Sequence, residues 1–230
     1  MEPKTNNDQL NYDPADLPSR VPILDEIKKK IAELTADERS KFSALDGLDD
    51  SGMDHDDAIE VAGVYFGLKQ VCYIYQTTDS ESPEDGEKTI MSVIDGLGMH
   101  FEFTTEENDQ ETKDYYGHDY VHRMIVSKDP DKITEFKGLS DMALNYLGMG
   151  LNTDEIEYEI GELLGYPRTA TEAFLGHRAR ADRNEINATG QRFGQITFSK
   201  DLADEEIEQY AKPLEVITHE LLPKIYRQRL

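Results

Sequence analysis

Carboxylates outnumber basic side chains by 48 to 24, which leaves a formal charge of −24 on 230 residues. No other feature constrains the fold as much, because a charge of this size repels itself across any compact surface. The acidic excess recurs along the whole chain, on segments with the periodicity of folded elements, and is not gathered into one tail. In molar salt the Debye length falls to roughly 3 Å and the repulsion largely disappears. The pattern reads as adaptation to a salt-filled cytoplasm, that of a halophilic archaeon or of a virus of one; an ordinary acidic protein is the other reading. Apolar residues are 37% of the chain, with twelve Tyr, eight Phe and no Trp, so one core is affordable and a large one is not. The single Cys72 lies in an apolar run, which excludes an intramolecular disulfide and a cysteine zinc cage. It reads as a small buried hydrophobe. No stretch approaches the roughly 20 apolar residues of a membrane span, and the N-terminus lacks the order of a signal peptide. A soluble, cytoplasmic protein is expected.

Residues 1–20 are polar, Pro-punctuated and aperiodic, a flexible leader. Residues 21–230 read as a single domain. A first helix carries Leu24, Ile27, Ile31 and Leu34 on one face; Thr35 and Glu38 form a capping box for a second, and Asp54 caps a third towards Phe66. The β-branched and aromatic run Val71–Tyr75 predicts a strand. A helix over 88–97 follows, then alternation at Met99, Phe101 and Phe103, an acidic hairpin loop over 105–117, and a returning strand through Tyr120, His122, Met124 and Val126. Asp129-Pro130 starts a mostly helical region to 182, in which Met142, Leu144, Leu147 and Met149 supply apolar surface. One more strand is expected over 192–198, and one or two helices over 201–226 broken around Pro213. The fold class is α+β, a small mixed or antiparallel sheet of about four strands with helices packed on it.

Only residues 153–180 look like a device. Ile156, Ile160, Leu163 and Leu164 form a helical stripe, Gly165 is placed to end that helix, and Pro167 favours the first turn of the next. Helix, tight turn and helix resemble a helix-turn-helix corner. Gly161, Gly165, Ala170 and Phe174 stand where such units want small or apolar residues, while Thr171 and Pro167 depart from the pattern. Four Arg (168, 178, 180 and 183) and His177 oppose only Glu172 and Asp182 between 166 and 183. A net-positive island suits phosphate contact, and Arg168, Thr169, Thr171, His177, Arg178 and Arg180 are the candidate nucleic-acid-binding residues. A scaffold corner with paired Arg is the other reading.

The same segment also resembles a mainly archaeal family that carries Gly-Tyr-Pro-x-Cys-Cys near the end of a small α/β domain. Gly165, Tyr166, Pro167, Glu172 and Phe174 match, whereas Thr169 and Ala170 replace the paired cysteines. Any redox or metal chemistry of those cysteines is therefore absent here, and the resemblance brings no activity with it.

Catalytic constellations are thin. Asp49, Asp50, Asp54, His55, Asp56 and Asp57 are the densest acidic cluster, without the spacing of a calcium loop. His118 and His122 lie four apart, about 13 Å on a strand, and His100 is on a neighbouring strand. No cofactor and no specific metal site is expected. Ile207, Tyr210, Leu214, Ile217, Leu221 and Ile225 make a long stripe that reads as core, or as a surface for a protein partner or a second copy. The expected function is binding or regulation, with nucleic acid contacted through 153–183. A metal-dependent enzyme using Asp and His side chains, or an assembly factor, are the alternatives.

Overall fold

The computed structural model describes residues 24–48, 55–194 and 196–230. The expected leader and the acidic residues Asp49, Asp50 and Asp54 lie outside these. Helix α1 (Leu24–Glu33) buries Ile27 and Ile31. Helix α2 (Ala36–Leu45) begins at the predicted capping box, where the Thr35 amide donates to Glu38 Oε2 at 2.7 Å and the Glu38 amide to Thr35 Oγ1 at 3.2 Å. Helix α3 (His55–Phe66) is buried on nearly every side. The Tyr65 hydroxyl of α3 donates to Glu38 Oε1 at 2.6 Å and ties the two helices together.

That hydrogen bond, followed by those from Thr35, holds the Glu38 carboxyl down at about 2, and burial beside Glu38 pushes Tyr65 up to about 12. A depressed carboxyl contributes stability above its unfolded pKa and loses it as pH falls through the folded value. The wild-type advantage over Glu38→Gln is thus expected to be full above about pH 4.5 and to vanish towards about pH 2. Melting temperature against pH for the two proteins reads this directly.

Three strands follow: β1 (Val71–Thr78), β2 (His100–Glu107) and β3 (Tyr120–Ser127), with α4 (Asp85–Gly96) between the first two. They form one antiparallel sheet in the order β1-β3-β2, with Met124 set between Ile74 and Phe103. The face carrying Cys72, Ile74, Met124 and Val126 closes on α3, α4 and the main core. The other face carries Val71, Tyr73, Ile125, Arg123 and Glu102, and α6 (Pro130–Gly148) lies across it. Tyr73 and Phe136 meet there with ring centroids 5.8 Å apart. A smaller core of Val71, Phe136 and Leu163, edged by Ile125, Leu139, Ile160 and Leu164, joins the sheet to α6 and to α7 (Asp154–Leu163).

Three sequence expectations are corrected. The interval 105–117 is not a plain loop: β2 runs on to Glu107, and α5 (Gln110–Tyr116) starts where the Thr112 amide donates to Asp109 Oδ1 at 2.8 Å. Among the described residues the sheet has three strands, without the expected fourth. Asn187 caps a short helix, α9 (Ala188–Phe193), and further on only an isolated bridge joins Arg180 to Ser199. Phe193 and Phe198 both insert into the core, one from the end of α9 and the other from the segment after it. Finally, Pro213 does not break its helix. Helix α10 (Ala203–Glu206), a π-turn over Ile207–Ala211 and α11 (Lys212–Leu221) run on as one, and the break comes before α12 (Pro223–Arg229). In the π-turn the Lys212 amide donates back five residues to Ile207 O, and Pro213, which has no amide to donate, follows in the first turn of α11. Asp46, at the end of α2, accepts the Lys224 and Ile225 amides at 2.9 and 3.1 Å and so caps α12 from across the chain.

The C-terminal stripe is core. Ile207, Tyr210, Leu214, Ile217, Leu221 and Ile225 are all buried, against α1, α3 and α9 among others. The stripe is thus covered by the rest of the chain and is not itself presented to a second copy or a protein partner.

Candidate functional site

The predicted corner forms. Helix α7 ends in a left-handed Gly165 (φ 74°), with the Tyr166 amide donating to Gly161 O at 2.8 Å and the Gly165 amide to Glu162 O at 3.1 Å. This is the paired bonding of a glycine-terminated helix. After Pro167, α8 (Arg168–Leu175) packs back on α7. A Cβ on Gly161 would lie 2.6 Å from Thr171 Oγ1, so the missing side chain is what lets the two helices approach.

The six candidate residues are brought together, and each is engaged within the chain. Thr169 and Thr171 are buried, and the Thr169 hydroxyl donates to the buried Glu206 carboxylate. Ser199 adds its amide at 2.8 Å and its hydroxyl at 2.6 Å to the same carboxylate. Burial still pushes the Glu206 carboxyl up, against those three hydrogen bonds. Arg168 lies over the Tyr158 ring at 4.9 Å. His177 Nε2 meets Asp154 Oδ2 at 2.7 Å. Arg178 is clamped between Glu172, at 3.1 Å, and Asp201, at 2.5 Å. Arg180 donates to the Ala173 and Phe174 carbonyls at 2.9 and 2.6 Å and so closes the end of α8. The basic island in the sequence is, in space, a set of caps and pairs.

The Gly-Tyr-Pro string has an equally local purpose. The Gly165 backbone presses on the turn before β1, where an added Cβ would lie 2.2 Å from the Leu68 carbonyl oxygen. Next to it, Tyr166 and Tyr210 pack edge to face at 5.7 Å, and the buried Lys69 ammonium sits 5.2 Å from both ring centres while pairing with Glu60. Burial pushes the Tyr166 and Tyr210 hydroxyls and the nearby Cys72 thiol well up.

The histidine and carboxylate candidates do not converge. His122 is buried with Glu87, Nδ1 to Oε1 at 2.7 Å, whereas His118 meets Asp79 at 3.2 Å near the surface, and His100 points to the opposite sheet face from His122. Asp56 pairs with Arg229. Among the described residues, no three His, Cys, Asp or Glu side chains are grouped to hold a metal ion, and no helix is long and apolar enough to cross a membrane.

What stands out instead is the far end of α6. Leu144 is 69% exposed, Leu147 58% and Met149 72%, and Met142, Tyr146 and Leu151 are exposed beside them. Six exposed apolar side chains within ten residues make this end of the helix the candidate contact surface. Between this shoulder, α7 and the uncovered part of the sheet runs a cleft of about 600 Å³, floored by Tyr73 and Ile125 and walled by Leu144, Leu147 and Ile160. Its polar rim is Glu102 paired with Lys137, Glu106 paired with Arg123, then Asp141 and Glu157. Glu157 and Ile160 also edge a second cleft of about 430 Å³, where Phe174 stands 57% exposed.

No protein-family model, curated protein or solved structure matches the chain.

The sequence shows the apolar residues of α6 but not that they stay uncovered. The legible signal was the run of apolar residues from Met142 to Leu151, which fall on more than one side of the end of α6 and just past it, so that no single surface can cover them all.

Proposed function

We propose that this is a binding protein whose working surface is the α6 shoulder with its adjoining cleft, and that what it holds is another protein. The exposure of Leu144, Leu147 and Met149 carries the reading. On a chain of net charge −24, whose surface is rich in carboxylates, six large apolar side chains kept in water between 142 and 151 mark a surface under another demand. Interface cores have this composition, apolar with Met and aromatic residues and few charges. Nucleic-acid contact through 153–183 is the weaker reading. Arg178 and Arg180 would have to exchange carboxylate and carbonyl partners for phosphate, next to α7, which bears Asp154, Glu155, Glu157, Glu159 and Glu162 and no basic residue. The test is a photo-crosslinking side chain placed at position 147 or, as control, at Asp95 on the far side of the sheet. In cells of the source organism the shoulder probe is expected to give discrete protein adducts and the control none. Adducts to nucleic acid, or equal adducts from both positions, would contradict the reading.

A further inference from the structure

We infer that the occupant of the α6–α7 cleft is a cationic amphipathic helix of a partner protein. This rests on the reading of the shoulder as a protein-binding surface and names the partner's chemistry. The cleft has the shape that mode of recognition needs: an apolar floor of Tyr73 and Ile125 between walls contributed by Leu144, Leu147 and Ile160. A helix that lays one face into such a groove anchors through apolar residues at i, i+3, i+4 and i+7.

Charge decides what flanks those anchors. Lys137 and Arg123 on the rim are already paired with Glu102 and Glu106. That leaves Asp141 and, from α7, Glu157 as carboxylates on the lining with no basic residue to answer them there. Glu157 stands where the two clefts meet, half-buried, and burial followed by the neighbouring Asp154 pushes its carboxyl up. A Lys or Arg flanking the apolar anchors relieves both effects, since an opposite charge favours the ionised carboxylate. A second copy of this chain brings more carboxylates to the same rim and is repelled wherever salt does not screen them, as any acidic partner is.

The test uses the full chain and three synthetic helical peptides, read by fluorescence anisotropy in molar KCl and at lower salt. One has Leu anchors and Lys flanks, one Leu anchors and Glu flanks, and one Ser in place of Leu with Lys flanks. Only the Leu/Lys peptide is expected to bind. Leu147→Asp should weaken it about tenfold or more, Leu144→Asp likewise, and Glu157→Gln about threefold at the lower salt. Both leucines are more than half exposed, so these variants keep the fold, which their melting temperatures check. Equal binding of the Leu/Glu peptide would overturn the cationic partner while leaving the shoulder as an interface. Binding of the Lys/Ser peptide, or binding indifferent to both leucine variants, would mean general attraction to an acidic surface and overturn the seat. If no peptide binds, the helix is overturned, and cross-linking from position 147 still decides the wider reading. A concentration-dependent dimer dispersed by Leu147→Asp would name a second copy as the occupant, which also overturns the proposal.

Discussion

Gly165→Ala is expected to cost about 4 kcal/mol or more, enough to leave a marginal domain largely unfolded. Two effects add. The left-handed backbone at φ 74° costs a non-glycine residue about 1–2 kcal/mol wherever it occurs. The new methyl also meets the Leu68 carbonyl oxygen, 2.2 Å from the ideal Cβ position, and a backbone oxygen has no rotamer by which to move away. Gly98→Ala separates the two, because Gly98 has φ 67° and nothing within 4 Å of an added Cβ; it should lose only the conformational part. Urea midpoints of both variants and the wild type check this. Similar losses for Gly98→Ala and Gly165→Ala would show that α7 does not press on the turn before β1.

Lys69→Ala is expected to cost about 3–5 kcal/mol, because it strands a charge in a site built for two. The Lys69 side chain is wholly inaccessible and its Glu60 partner 13% exposed. The Tyr166 and Tyr210 rings, each 5.2 Å from the ammonium, add cation–π attraction that a desolvated site strengthens. Lys69→Met with Glu60→Gln keeps the volume and removes both charges, and so should recover most of the loss. The chemical-denaturation difference between single and double variants measures the coupling. A double variant as unstable as Lys69→Ala would place the loss in packing and not in the stranded carboxylate.

These two sites explain why the Gly-Tyr-Pro corner looked like a motif. Glycine, aromatic and proline in close order are demanded by a turn that docks on another turn and covers a buried lysine. Local signals of this kind were readable: the Thr35–Glu38 capping box, the end of α7 at Gly165 and the strand pairs around Met124 depend on neighbours in sequence or on simple alternation. Longer-range facts were not. Periodicity shows which face of a helix is apolar and is silent on what covers it. The stripe from Ile207 to Ile225 therefore read either as core or as a partner surface, and the apolar end of α6 as no more than apolar surface, yet one is core and the other is exposed. For the same reason the basic residues of 166–183 left phosphate contact and a paired scaffold corner both open. Their partners include Asp154 and Asp201, which lie outside that interval. The fourth strand failed because Asn187 starts a helix too short to display a helical period, and the short run after it is apolar because Phe193 and Phe198 fill the core.

The claim that the α6 shoulder is a contact surface is tested most directly by oxidative footprinting of the native protein, in the source cells and after purification. Purified, Met149 and Tyr115 should both label strongly, at 72% and 81% exposure. In the cell, the account predicts that Met149 and Leu147 become protected while Tyr115, on α5, labels as before. Equal labelling of Met149 in the two settings would contradict it.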